Sequence, residues 1–267
     1  MKYIFLVTVA FVLIYLIKLV NRKKIKKIKM NPKRFQLWNE ILEKEVRFFH
    51  NLNNNEKDIF LDRVLKFLNS VKVTPVNVEI SESDKLLIGA SAIIPVFAFP
   101  KWEYLYLDEI IVYQSSFNER YDTNSKDNNI LGMVGSGVMS NTMILSLKAL
   151  RHGFENERDK MNTAIHEFVH LIDKQDGIID GVPSALLESN YIVPWLELIN
   201  KEIDDITNDK SDIRDYGAYN KSEFFSIASE YFFERPILME RKHPELFKFM
   251  NRIYDRTPKM RRAKKRK

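Results

Sequence analysis

The chain has 267 residues, 45% of them hydrophobic and none of them cysteine, so it can bury a sizeable core while disulfides and thiolate metal ligands are excluded. Its net charge of +6 sits at the ends: residues 18–34 hold nine Lys or Arg, residues 256–267 hold eight, and Lys2 adds one. Residues 35–255 carry 24 basic against 36 acidic side chains, a net −12, so no nucleic-acid partner is expected for the folded part. The basic ends suit anionic lipid headgroups, and a solvated tail is the plain alternative for 256–267.

In chain order, Tyr3 to Val20 is almost wholly apolar and about long enough to cross a bilayer as a helix. Basic residues follow it, which by the positive-inside rule puts the C-terminal side in the cytoplasm. A cleaved signal peptide would need a basic start and a small-residue cleavage site, and neither is clear. The expected organisation is a transmembrane anchor at 1–22, a basic juxtamembrane linker at 23–34, one globular domain at 35–255 and a basic tail at 256–267. The expected location is single-pass in the membrane, facing the cytoplasm.

Phe35 to Ser70 has apolar residues at helical intervals, broken at NLNNNEKD, which predicts two helices, the second capped by Asn55 or a neighbour. Val71 to Ile80 alternates as a strand, with Pro75 arguing against a central position. Ser83 to Ile94 reads as a helix stopped by Pro95, Leu105 to Tyr113 as a strand, and Asn118 to Asn129 as a loop. GMVGSG at 132–137 lacks the Lys-Ser/Thr of a phosphate loop and reads as a flexible turn. Thr142 to Leu147 is expected as a strand, Ile192 to Ile206 and Leu246 to Tyr254 as helices.

The chemistry concentrates in Asn162 to Gly181, which contains His166-Glu167-Phe168-Val169-His170. In a helix, His166 and His170 lie one turn apart on one face, so both imidazoles can bind one metal ion such as Zn2+. Glu167 can reach water at that metal and serve as general base, which is hydrolytic chemistry, most naturally on a peptide bond. Ile165, Phe168, Val169 and Ile172 bury the helix flanks. The turn-rich acidic stretch that follows includes Asp173, which can orient a ligand histidine.

Catalytic zinc usually takes three protein ligands. Six residues after His170, where a metzincin has its third histidine, stands Asp176, and His50, His152 and His243 lie in no matching motif, so a carboxylate is expected. A helix from Asn220, ending before Pro236, carries Glu223 and Glu230 two turns apart on roughly one side, and spacing does not choose between them. Asn220-Lys221-Ser222-Glu223 also fits a capping box that would occupy Glu223.

HEFVHLIDKQDGIIDGVP and YGAYNKSEFFSIASEYFFERP, with HPELF just after, resemble the Mlc titration factor A family of zinc metallopeptidases. The distal part is similar to the catalytic domain of anthrax lethal factor. The likeness runs from about Glu43 to Phe249, and these two blocks are its specific part. It implies that the third ligand is the Glu before Phe-Phe, here Glu223, and that Tyr216, seven residues earlier, points its hydroxyl at the site to stabilise an oxyanion. It implies an α+β, zincin-like (gluzincin) fold in which Thr142 to Leu147 forms the sheet edge that pairs with an extended peptide. The implied function is a zinc-dependent metallopeptidase of aminopeptidase type acting on peptide or protein substrates. The alternative is a regulator that sequesters a transcriptional repressor.

Overall fold

The computed structural model describes residues 31–156 and 158–254. Helix α1 (Pro32–Glu45) buries Trp38 and Leu42, and a single turn, α2 (Arg47–His50), leads to α3 (Asn54–Ser70). Asn53 caps α3 with a full capping box, accepting from the Glu56 amide while the Glu56 carboxylate accepts from its own. Strand β1 (Lys72–Pro75) follows, then α4 (Glu82–Ile93), capped the same way by Ser81 and Asp84. Helix α4 is buried on nearly all sides. Gly89 lets α3 approach it, since a Cβ there would lie 2.7 Å from Val64 Cγ1.

The next strands are β2 (Glu109–Tyr113), β3 (Gly132–Val134) and β4 (Thr142–Ser146), in the order β1-β2-β4-β3. β2 runs parallel to β1 and β4, while β3 is antiparallel to β4. Pro75 closes an edge strand, where its missing N–H costs no ladder bond. β4 is internal and buried from Met143 to Ser146, which corrects the expectation that Thr142 to Leu147 forms the edge. The edge beside β4 is β3, within the GMVGSG segment expected as a turn. Three residues paired on one side only carry no apolar run by which to be recognised.

Helix α5 (Leu147–Glu155) follows β4 directly, capped by Ser146, and was not expected from the sequence. Then come α6 (Thr163–Asp173), α7 (Ile192–Thr207), α8 (Lys221–Glu234), α9 (Pro236–Lys242) and α10 (Pro244–Ile253). Phe168 of α6 meets Phe67 and Tyr104, with ring centroids at 5.6 and 5.3 Å. Phe224 and Phe225 of α8 pack on Trp195, and Phe232 on Phe247 and Tyr254. The first contacts tie α6 to α3, and the others tie α8 to α7 and α10.

The expectation of a single-pass, cytoplasm-facing membrane protein is corrected. Among the described residues no helix is long and apolar enough to cross a membrane. The Tyr3 to Val20 stretch and the tail at 256–267, on which that expectation and the lipid contact rested, lie outside the described residues.

Candidate metal centre

Asn162 begins α6 by accepting, through its side-chain oxygen, from the Ile165 amide at 3.0 Å, while its Nδ2 donates to Gly153 O at 2.9 Å. With Ile165, Phe168, Val169, Leu171 and Ile172 all buried, the helix can rotate little, and His166 and His170 turn toward a cleft of about 990 Å³. On the facing helix α8, Asn220 accepts from the Glu223 amide at 2.8 Å. The other half of the expected capping box is not made. The Glu223 carboxylate lies on the histidines instead, with Oε2 at 3.0 Å from His166 Nε2 and 3.5 Å from His170 Nε2. The two Nε2 atoms are 3.1 Å apart.

These separations, 3.0–3.5 Å, come within about 0.3 Å of those in a metal site. Bonds of about 2.0–2.2 Å at tetrahedral angles put donor atoms about 3.3–3.6 Å from one another. The hydrogen bonding argues the same way. Glu230 Oε1 lies 2.8 Å from His166 Nδ1, and a carboxylate only accepts, so Nδ1 carries the hydrogen. A neutral His166 then turns a lone pair toward another acceptor, Glu223 Oε2, and only a proton or a cation can bridge them. Burial opposes charge on His166, yet hydrogen bonds to Glu223 and Glu230 raise its pKa to about 10. Glu223 is held well below the usual carboxylate range: burial pushes it up, but its bonds to His166 and His170 outweigh this. Positive charge is what the centre stabilises, and His166, His170 and Glu223 form a donor set suited to zinc.

Glu167, 5% exposed, lines the same cleft. Burial raises its carboxyl above the ordinary value, with His166 and His170 opposing. Its room depends on Gly132 of β3: a Cβ there would lie 2.7 Å from both Glu167 Cγ and Oε1. Tyr216 lines the cleft from a short 3-10 turn (Asp215–Ala218), its ring stacked on Tyr219 at 5.7 Å. Burial, then the neighbouring Glu223 and Glu167 carboxylates, raise its phenol, so it stays a neutral hydrogen-bond donor.

Of Glu223 and Glu230, between which spacing did not choose, Glu223 lies against the Nε2 atoms of both histidines and Glu230 against Nδ1 of His166. For His170 the partners are Ser222 Oγ at 3.0 Å and Ser226 Oγ at 3.2 Å from Nδ1. Asp173 makes no direct contact with either histidine in the hydrogen-bond geometry; its Oδ2 accepts from the Gly181 amide at 2.8 Å. Burial pushes Asp173 up to about 6, against that amide. Gly181, at φ +80°, could carry no side chain, because a Cβ would lie 2.4 Å from Lys221 O. The turn after α6 is thereby pinned to the start of α8. Arg214 was not singled out by the sequence, being unremarkable in type, while Gly132 and Ser222 fell within the GMVGSG and Asn220-Lys221-Ser222-Glu223 segments without being given a role at the site.

The pattern of the glucose-regulated metallo-peptidase M90 family matches residues 19–255. Mlc titration factor A of Escherichia fergusonii is 25% identical over 241 residues, covering 84% of this chain and 87% of its own. That of Yersinia pestis is 28% identical over 184 residues, 61% and 65% of the two chains. An uncharacterized protein of Synechocystis sp. is 25% identical over 228 residues, 81% and 82% of the two. With its family pattern spanning most of its length and a His-His-Glu cluster of metal-binding geometry, this chain belongs to the glucose-regulated metallo-peptidase M90 family, among relatives of Mlc titration factor A.

Proposed function

We propose that the protein is a zinc-dependent peptidase that holds its metal with His166, His170 and Glu223. The observation that carries the proposal is the pair of facing acceptors, His166 Nε2 and Glu223 Oε2, with His170 Nε2 beside them and Glu167 in the same cleft. When bound there, zinc supplies a Lewis acid that polarises a peptide carbonyl and makes water acidic. Glu167 takes the proton from the attacking water and passes it to the leaving amine, a task suited to a carboxyl whose pKa burial has raised. Tyr216 donates its hydroxyl hydrogen to the carbonyl oxygen as charge develops.

Edge strand β3 supplies a way to hold the peptide. Backbone bonds from Ser146 N to Leu131 O and from Gly135 N to Thr142 O make 131, 133 and 135 the residues bonded to β4. The amides and carbonyls of Gly132 and Val134 therefore point away from β4, along the cleft they line. An extended substrate adding to this edge would pass between Gly132 and the metal ligands.

The aminopeptidase type rests on family resemblance. Of the carboxylates lining the cleft, Asp180 is the one not set against the metal-ligand histidines, and it is the group we assign to a terminal amine. The test is metal content of the full-length protein together with hydrolysis of paired free and N-acetylated peptides. Expected are near-stoichiometric zinc, its loss in Glu223→Gln, and cleavage of the free peptide only. Zinc retained in Glu167→Gln with turnover down about 10²–10⁴-fold would assign the general base. Cleavage of both peptides would make it an endopeptidase, and absence of zinc after zinc is supplied would end the enzyme proposal.

The second reading is a protein-binding regulator, favoured by relatives that bear the name of a titration factor for Mlc. It predicts that the Glu167→Gln protein keeps its cellular effect; loss of that effect would exclude it.

A further inference from the structure

We infer that Glu230 is a positioning residue of the metal centre, one buried carboxylate that both selects the nitrogen with which His166 meets the metal and ties the metal helix to the loop bearing Tyr216. The inference rests on the zinc peptidase proposed above. Glu230 lies two turns after Glu223 on α8, with its side chain 2% exposed. Its Oε1 accepts from His166 Nδ1 at 2.8 Å and from Arg214 Nη2 at 2.5 Å. Its Oε2 accepts from the backbone amide of Asn162 at 2.5 Å.

All three partners are donors, so the site needs a group with two accepting oxygens, which among side chains means an ionised carboxylate. Each donor belongs to a different working part. His166 is a metal ligand, Asn162 is the cap that starts α6, and Arg214 stands two residues before Tyr216 and itself lines the cleft. A carboxylate this buried persists only where such partners compensate it. Glutamine keeps the shape but replaces one oxygen with an NH2, which must then face either the Asn162 amide or the His166 and Arg214 donors. The His166 ring loses its fixed tautomer, or the helix start loses its anchor.

Arg214 carries the second link. With one Nη on Glu230, its backbone is held beside the metal helix, and Tyr216 follows at the cleft rim. Removing the guanidinium frees the tyrosine loop while leaving the His166–Glu230 bond in place. The two variants therefore separate metal binding from transition-state stabilisation.

The experiment is chelator competition for zinc on the full-length wild type, Glu230→Gln and Arg214→Met, with kcat and KM on a peptide substrate. Glu230→Gln should bind zinc about 10–100-fold more weakly, the cost usual for losing a partner behind a ligand. Arg214→Met should hold zinc within about threefold, well short of that range, and lose kcat rather than KM. A folded Glu230→Gln that binds zinc like the wild type overturns the inference, and an unchanged kcat in Arg214→Met overturns its second half. Should Glu230→Gln not fold, nitrogen NMR of histidine-labelled, zinc-loaded wild type decides. A protonated Nδ1 on His166 with zinc on Nε2 supports the inference, and zinc on Nδ1 overturns it. Wild type that takes up no zinc brings down the peptidase proposal and this inference together, whereas normal uptake with an indifferent Glu230→Gln brings down this inference alone.

Discussion

Two histidines in this protein each lie between two carboxylates, His166 between Glu230 and Glu223 and His243 between Glu202 and Asp212. The distances are alike, 2.8 and 3.0 Å in the first case and 2.9 Å twice in the second. Their surroundings differ in charge. Around His243, Asp212 also takes Lys160, Lys242 and the Tyr231 hydroxyl, so an imidazolium and two ammonium groups offset two carboxylates. Around His166, the carboxylates of Glu167, Glu223 and Glu230 meet a single guanidinium, Arg214. With both imidazoles protonated, the first cluster's cations outnumber its carboxylates, whereas around His166 three carboxylates still face only the imidazolium and Arg214, a deficit that a divalent cation in place of the proton would fill. A histidine between carboxylates thus marks a metal centre only where a second nitrogen and a cleft leave the charge unbalanced.

The largest expected effect breaks that comparison directly. His166→Gln should weaken zinc binding by more than the about 10–100-fold usual for an outer partner, because a ligand itself is lost. His243→Gln should leave zinc affinity unchanged. It should instead lower unfolding stability by about 2 kcal/mol, since a buried carboxylate loses a charged donor. Chelator competition and urea unfolding on both variants decide it. Equal zinc loss in the two would erase the distinction between the clusters.

Gly132→Ala sharpens the functional side. The added Cβ would press on Glu167 Cγ, Oε1 and Thr163 Cγ2, all within 2.8 Å, so Glu167, the proposed general base, must shift while His166, His170 and Glu223 stay. Misplacement of a catalytic group by about 1 Å costs on the order of 10²-fold. The expected result is normal zinc content with kcat down by about that factor. Lost zinc would mean that β3 supports the ligands rather than Glu167.

The HExxH pair was legible because helical periodicity and ligand spacing coincide at His166 and His170. Spacing did not choose between Glu223 and Glu230 as the candidate third ligand: they share a side of α8, and which one meets both histidines depends on how α8 crosses α6. Family resemblance pointed to Glu223. Its geometry agrees, with Asn220 capping the amide and leaving the carboxylate to the histidines. The helices around Phe60, Leu86 and Trp195 announced themselves by apolar period, as buried helices do. Strand β3 did not, because its edge position is imposed by β4 rather than by its own residues. Helix α5 carried a readable signal in the Ser146 cap before Leu147, Ala149 and Leu150, but its nine residues merge with the preceding apolar strand.

The smallest effect concerns pH. Burial disfavours a charged His243, but its bonds to Glu202 and Asp212 win and raise its pKa. A group whose folded pKa exceeds its unfolded value of 6.5 contributes its full stabilisation below that value and loses it as pH rises through the folded one. Asp212 is shifted oppositely: despite burial, its bonds to His243, Tyr231 and Lys160 hold it well below the usual range. Its contribution is present above its unfolded value of 3.8 and is lost only as pH falls well below that. Between neutral and mildly alkaline pH the His243 effect therefore stands alone in this cluster. Urea midpoints of zinc-loaded wild type should fall as pH rises from about 6.5, at no more than about 1.4 kcal/mol per pH unit from this group. The slope should be shallower in His243→Gln, where no proton is lost. Parallel pH profiles in the two proteins would show that His243 is neutral in the fold and that the balance drawn around Asp212 is wrong.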